Sequence, residues 1–325
     1  MMSPEVITMG ETMVIMNPQQ DLPLEYVDTF RKQIGGAESN VAVGVARLGH
    51  TSGWISRVGD DPFGTYIEKT LRGEGIDLSH VARDQQAPTG FFFKERRRAA
   101  SVNVYYYRAG SAASRLQPGD VDPEYVAGAK LVHLSGILPA LSTDCRHAAD
   151  QLQETAKNAA IPVVFDPNVR MKLWNSREEA AEILNRYALA SDYVLIGQSE
   201  GELLADEREP EAIASFYQRQ NPELTVVVKL GEDGAFVSAP SEQLYVAGYP
   251  VQNVTDPIGA GDAFAAAFMS GLLHEETLSK SVQLGNAAGA CTVQAAGDIE
   301  GFPSRQELDT LIQAEGKRPA EDVNR

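Results

Sequence analysis

Short apolar runs, each followed by a helical pattern, constrain this chain more than any other feature. Val163-Val164-Phe165 and Val226-Val227-Val228 are apolar at every position. A strand made of such residues must be covered on both faces, as the central strands of a parallel sheet are. Val6–Met9 is followed by the helical pattern Asn40–Leu48 and the strand Thr51–Val58. Leu131–Leu134 precedes the helix Cys145–Asn158, Val163–Phe165 precedes Arg177–Ala188, and Tyr193–Ile196 precedes a helix from Ser199 to about Ala205. Thr225–Lys229 and Ala235–Ser238 read as a strand pair about a glycine turn. This rhythm predicts an α/β fold with a doubly wound, mostly parallel sheet and helices on both faces.

Two stretches break the rhythm. Thr12–Ile34 and Thr89–Ser114 are β-rich, with polar turns and no helix between their strands. They predict a small β-sheet inserted over the ligand edge of the main sheet, a lid. The expected organisation is one domain over 1–315 with lid insertions at about 12–34 and 89–114. The charged tail 316–325 is expected to fray. An apolar lid needs a second surface, so a homodimer or higher homo-oligomer through it is expected.

A formal net charge of −17 argues against nucleic acid and anionic membranes as main partners. It does not exclude small anions, which a local cluster of N–H groups and Arg can hold. The two cysteines, Cys145 and Cys291, are too few for a disulfide framework and match no zinc spacing. With no charged start followed by an apolar run, a cytoplasmic location is expected.

The chemistry concentrates near the C-terminal end. Asp256-Pro257-Ile258-Gly259-Ala260-Gly261-Asp262 runs into the helix-former Ala263–Phe268. A small-residue turn entering a helix presents free N–H groups and a partial positive charge, which suits a phosphate. Asp262 is odd there, because a carboxylate repels an anion. Either it is a general base that takes a proton from an attacking hydroxyl, or it caps the helix. A second glycine turn, Gly35-Gly36-Ala37-Glu38-Ser39-Asn40, opens another helix, and Asn40 can donate to and accept from a neutral hydroxyl.

The spacing Gly35-Gly36-Ala37…Asn40-Val41-Ala42, with Gly49 and Gly59 beyond it, resembles the N-terminal signature of the ribokinase-like (phosphofructokinase B) sugar kinases. The Asp256–Asp262 stretch resembles their C-terminal signature. The resemblance covers nearly the whole chain. It implies ATP and Mg²⁺ as cosubstrate and metal, with a monovalent cation left open. Asp262 then corresponds to the catalytic base, and Gly259, Ala260 and Gly261 to the anion hole for the transferred γ-phosphoryl group. Gly35, Gly36 and Asn40 match the sugar-contacting turn. Lys229, Gly231 and Gly234 match a nucleotide-side loop, and Asn286 and Ala290 lie on the helix that flanks adenine. Ser199-Glu200-Gly201-Glu202 falls at the family's Asn-x-x-Glu motif, with Ser199 in place of Asn and Glu202 on the metal side. Absence of a G-x-x-x-x-G-K-[ST] motif separates the chain from P-loop kinases.

The substrate is read from Tyr105-Tyr106-Tyr107-Arg108-Ala109-Gly110-Ser111. On a strand, Tyr106 and Arg108 share one face, and a phenol with a guanidinium suits a carboxylate. Arg170, in Asp166-Pro167-Asn168-Val169-Arg170, supplies a second cation at the end of a strand. Phe91, heading the run Phe91-Phe92-Phe93, is placed on the substrate side. Together these suggest an anionic sugar acid, and the Tyr-Tyr-Arg-Ala-Gly-Ser stretch resembles that of 2-keto-3-deoxygluconate kinases. The alternatives are a fructokinase- or ribokinase-like kinase of a neutral sugar, a silent sugar- or nucleotide-binding protein, and, for Arg108, a plain lid salt bridge.

Overall fold

The computed structural model describes residues 3–97 and 101–315; the expected tail 316–325 lies outside the described residues. In chain order the strands are β1 (Val6–Met9), β2 (Met13–Pro18), β3 (Phe30–Gly35), β4 (Ser52–Gly59), β5 (Val81–Asp84), β6 (Phe91–Arg97) and β7 (Ser101–Tyr107). After them come β8 (Leu131–Ser135), β9 (Val163–Asp166), β10 (Tyr193–Gly197), β11 (Thr225–Lys229), β12 (Gly234–Ser238) and β13 (Gln243–Ala247).

Nine of them form one sheet in the order β13-β12-β11-β10-β9-β8-β1-β4-β5. All neighbours from β11 through β5 are parallel, and β12 and β13 close one edge antiparallel. Alternation explains the continuous apolar runs. Ile7, Val132, Phe165, Ile196 and Val228 face one helical layer, packing with Leu152, Leu184 and Tyr217. Val6, Leu131, Val164, Leu195 and Val227 face the other, against Val41 and Val45 and against Ala265, Phe268 and Met269. Each strand is therefore buried on both sides, which only residues apolar at successive positions can supply.

The remaining four strands form a separate sheet, β3-β2-β6-β7. It is built from the two β-rich stretches as expected, with β2 and β6 paired in parallel and β3 and β7 antiparallel at the edges. The helix Pro62–Gly73 was not legible as a separate unit in the sequence, whereas the helix expected around Asn286 and Ala290 runs Leu278–Thr292. Among the described residues, no helix is long and apolar enough to cross a membrane.

Candidate active site

The C-terminal ends of the parallel strands open onto a cavity of about 450 Å³, where open α/β sheets bind ligands. Asp166 stands at the end of β9 and Lys229 at the end of β11. The helix Ala260–Leu273 points its N-terminus into the same space. Gly259 caps that helix at φ +84°, where a Cβ would lie 2.1 Å from the carbonyl oxygen of Asp298. Only glycine fits this turn. Among the described residues the N–H groups of Gly261 and Asp262 have no carbonyl partner, so they remain available to an anion.

Asp262 does not cap the helix. Its Oδ2 accepts a hydrogen bond of 2.8 Å from Asn40 Nδ2, on the helix Ala37–Arg47 that follows the other glycine turn. The carboxyl touches the cavity but is otherwise enclosed by protein, and this loss of water pushes it up to about 7. The Asn40 hydrogen bond opposes the rise, Asp166 and Asp298 add to it, and Arg170 opposes it. A carboxylate poised near neutrality is suited to accept a proton.

Lys229 Nζ lies 2.7 Å from Asp166 Oδ2. Burial lowers this lysine's affinity for its proton, but the Asp166 and Glu200 carboxylates outweigh burial and keep it charged. Lys229 and Gly261 also line a second cavity, of about 370 Å³, together with Gly231, Gly234, Asn286 and Ala290. Asn286 Nδ2 donates to the carbonyls of Val246 and Ala247, both at 3.1 Å, which ties the Leu278–Thr292 helix to β13. The two cavities thus meet at Lys229, Pro257 and Gly261.

The lid supplies the opposite wall. Tyr106 and Arg108 line the first cavity, as do Gly35, Gly36 and Arg170. Arg108 also pairs with Glu11, just past β1, at 2.5 Å, so cavity wall and internal salt bridge are one residue.

Three expectations are corrected. Phe91 faces away from the cavity: it stacks on Tyr107 at 5.0 Å and meets Phe63 edge-on at 5.6 Å. Phe92 and Lys94 occupy the inward face, because β6 and β7 pair Phe92 with Tyr106 and Lys94 with Val104. Glu202 points outward from the helix Gln198–Ala205 into an ion pair with Arg208, and Ser199 is exposed. Each residue turns an α-helix by about 100°, so two steps from Glu202 bring Glu200 to the inner side. Glu200 lines the cavity, accepting from the N–H groups of Val169 and Gly197, both at 2.8 Å. Burial raises its carboxyl, as does Asp166.

Among the described residues no group of three or more His, Cys, Asp or Glu could hold a metal directly. Asp166 is taken by Lys229, and Glu200 by backbone N–H groups. This donor set would suit a Mg²⁺ that keeps most of its waters, with Asp166 and Glu200 as the carboxylates that would hold it through them.

The model of the pfkB family carbohydrate kinases matches residues 3–305. The chain belongs to that family. It is a carbohydrate kinase. Among curated relatives, the 2-dehydro-3-deoxygluconokinase of Bacillus subtilis (strain 168) is 39% identical over 312 residues, covering 96% of each chain. The 5-dehydro-2-deoxygluconokinase of Geobacillus kaustophilus (strain HTA426) is 30% identical over 95% of this chain and 93% of its own. Of the solved structures, one from E. coli, described as a ribokinase II in complex with ATP and Mg²⁺, superposes with a TM-score of 0.88. It is 26% identical and covers 96% of this chain and 99% of its own. The fold therefore stands as expected of this carbohydrate kinase family, while Glu11, Lys94, Asp166, Glu200 and Asp298 join the cavity without having been expected there.

Proposed function

We propose that this kinase transfers the γ-phosphoryl group of ATP to the terminal hydroxyl of a sugar acid, 2-keto-3-deoxygluconate, giving the 6-phosphate and ADP. The observation that carries the reading is the junction of the two cavities at Lys229 and Gly261, with Asp262 on the first side only. Sugar in the first cavity and nucleotide in the second would face each other across the helix N-terminus. Asp262 takes the hydroxyl proton as the oxygen attacks phosphorus, the bond from the γ-phosphorus to the bridging oxygen breaks, and ADP leaves. The Gly259–Gly261 turn and Lys229 receive the charge on the transferred group. When bound, Mg²⁺ neutralises the β- and γ-phosphate oxygens.

Arg108, Arg170 and Tyr106 on one cavity support an acid, as do two relatives whose names both specify ketodeoxygluconates. A neutral sugar is the second reading, favoured by one observation: the Arg108 charge is already met by Glu11. ADP release measured with 2-keto-3-deoxygluconate, 5-keto-2-deoxygluconate, fructose, ribose and no sugar decides between them. Preference for either neutral sugar overturns the acid reading, and preference for the 5-keto acid moves the keto group but keeps the carboxylate. The exposed Tyr105 and Tyr107 rings, 43% and 57% accessible, support a homodimer through the outer face of the lid. Light scattering on Tyr107→Lys tests it, with a shift toward monomer expected.

A further inference from the structure

Lys94 sits on the lid strand β6 and is only 2% exposed. A lysine so deeply buried needs compensating charge. Its Nζ lies 3.1 Å from Asp298 Oδ1 and 3.8 Å from Asp256 Oδ2. Both acids touch the turn that opens the Ala260–Leu273 helix. Asp256 Oδ1 accepts from the Ile258 N–H at 3.1 Å, inside that turn. The Asp298 carbonyl packs so closely on Gly259 that no Cβ could stand between them. One ammonium from the lid therefore stands between two carboxylates on either side of the phosphate-facing turn.

We infer that Lys94 is a positioning residue for phosphoryl transfer: its ammonium neutralises the Asp256–Asp298 pair and so holds the Gly259–Gly261 turn fit to receive an anion. The inference rests on reading that turn as the anion hole. Without the ammonium, two buried carboxylates would repel both each other and an incoming γ-phosphate. Repulsion would also spread to the base, because Asp298 already acts on Asp262. The charged groups that face this cluster are Lys94, Asp256 and Glu300 around Asp298, and Asp166, Arg170, Lys229 and Asp298 around Asp262. Lys94 is the cation that Asp298 sees: burial raises the Asp298 carboxyl, Lys94 opposes that rise, and Asp256 and Glu300 add to it.

The test is steady-state kinetics of Lys94→Met, which keeps length and removes charge, beside Lys94→Arg, which keeps charge. Lys94→Met is expected to lower kcat about tenfold or more, since a charge-assisted contact is worth about 1.5–3 kcal/mol. The KM for sugar should move less than about threefold, and the acidic limb of the pH profile should move to higher pH. Methylammonium in the assay should restore part of the lost kcat, and Lys94→Arg should retain more activity than Lys94→Met. A rise in sugar KM at unchanged kcat would overturn the inference and make Lys94 a substrate contact. A folded Lys94→Met with reduced kcat, an unmoved acidic limb and no amine rescue would make it structural only. If Lys94→Met does not fold, Lys94→Met with Asp256→Asn removes one charge from each side, and the same limb shift and rescue are read against Asp256→Asn alone. Failure of the anion-hole reading itself shows separately, as near-normal kcat in Gly261→Pro, which removes one of the N–H groups left without a carbonyl partner.

Discussion

Asn40 and Asp262, 222 positions apart, are joined by a single 2.8 Å hydrogen bond that brings the two glycine turns onto one carboxylate. In the mechanism proposed above, this carboxylate takes the substrate proton. Asn40 stabilises the charged form of the base while burial disfavours it.

Activity should therefore rise with pH. Below about 7 the Asp262 carboxyl is protonated and cannot accept a proton; above it the base is free. The acidic limb of kcat/KM is expected near pH 7. Asn40→Ala removes the hydrogen bond that holds the value down, so its limb should lie at higher pH. A profile with the limb below pH 5 in the wild type would place the base elsewhere.

Asp262→Asn keeps the shape and removes the proton acceptor. Turnover should fall by about 10²–10⁴-fold, with sugar binding by calorimetry largely kept.

The same substitution should stabilise the free enzyme at alkaline pH. The folded carboxyl titrates near 7, above its ordinary 3.8, so the native state holds the proton more tightly than the unfolded chain does. That contribution is fully present below about pH 4 and is lost as pH rises through 7. Above pH 7 the buried charge is a net cost, which Asn removes. Asp262→Asn should gain about 2–4 kcal/mol by denaturant titration at pH 8, and the gain should vanish near pH 4. An equal gain at both pH values would mean the charge is not responsible.

Arg108→Ala should lower kcat/KM tenfold or more for the sugar acid, and much less for fructose, because only the acid uses the charge. Equal losses on both substrates would reduce Arg108 to its salt bridge with Glu11.

Substrate should protect the lid amides of 12–34, 89–97 and 101–114 from hydrogen exchange more than those of β9 and β10, if the lid closes on the sugar. Uniform protection would mean a static wall.

The main sheet was legible because strands buried on both faces must be apolar at successive positions, as Val226–Val228 are. The glycine turns were legible because few other residues can build them. The inward face of the lid was not. In Phe91-Phe92-Phe93 every residue is aromatic, so alternation cannot say which ring turns in; only the register with Tyr106 decides. Glu200 and Glu202 posed the same difficulty on a helix, two like residues of which one is pulled inside by the N–H groups of Gly197 and Val169. Lys94 and Asp298 were hidden for another reason. Each reads alone as a solvated charge, and only a contact across 204 positions buries them.

The lid is joined to the main sheet at four places, and two of the joints are very short. Gly10, Glu11 and Thr12 alone connect β1 to β2, and Gly36 alone connects β3 to the helix Ala37–Arg47. Any swing of the lid must be taken up in those few dihedrals. Glu11 and Gly36 also line the first cavity. On the reading proposed above, selectivity and mobility would share these residues, so a lineage that changed its sugar there would also reset how far and how fast its door opens.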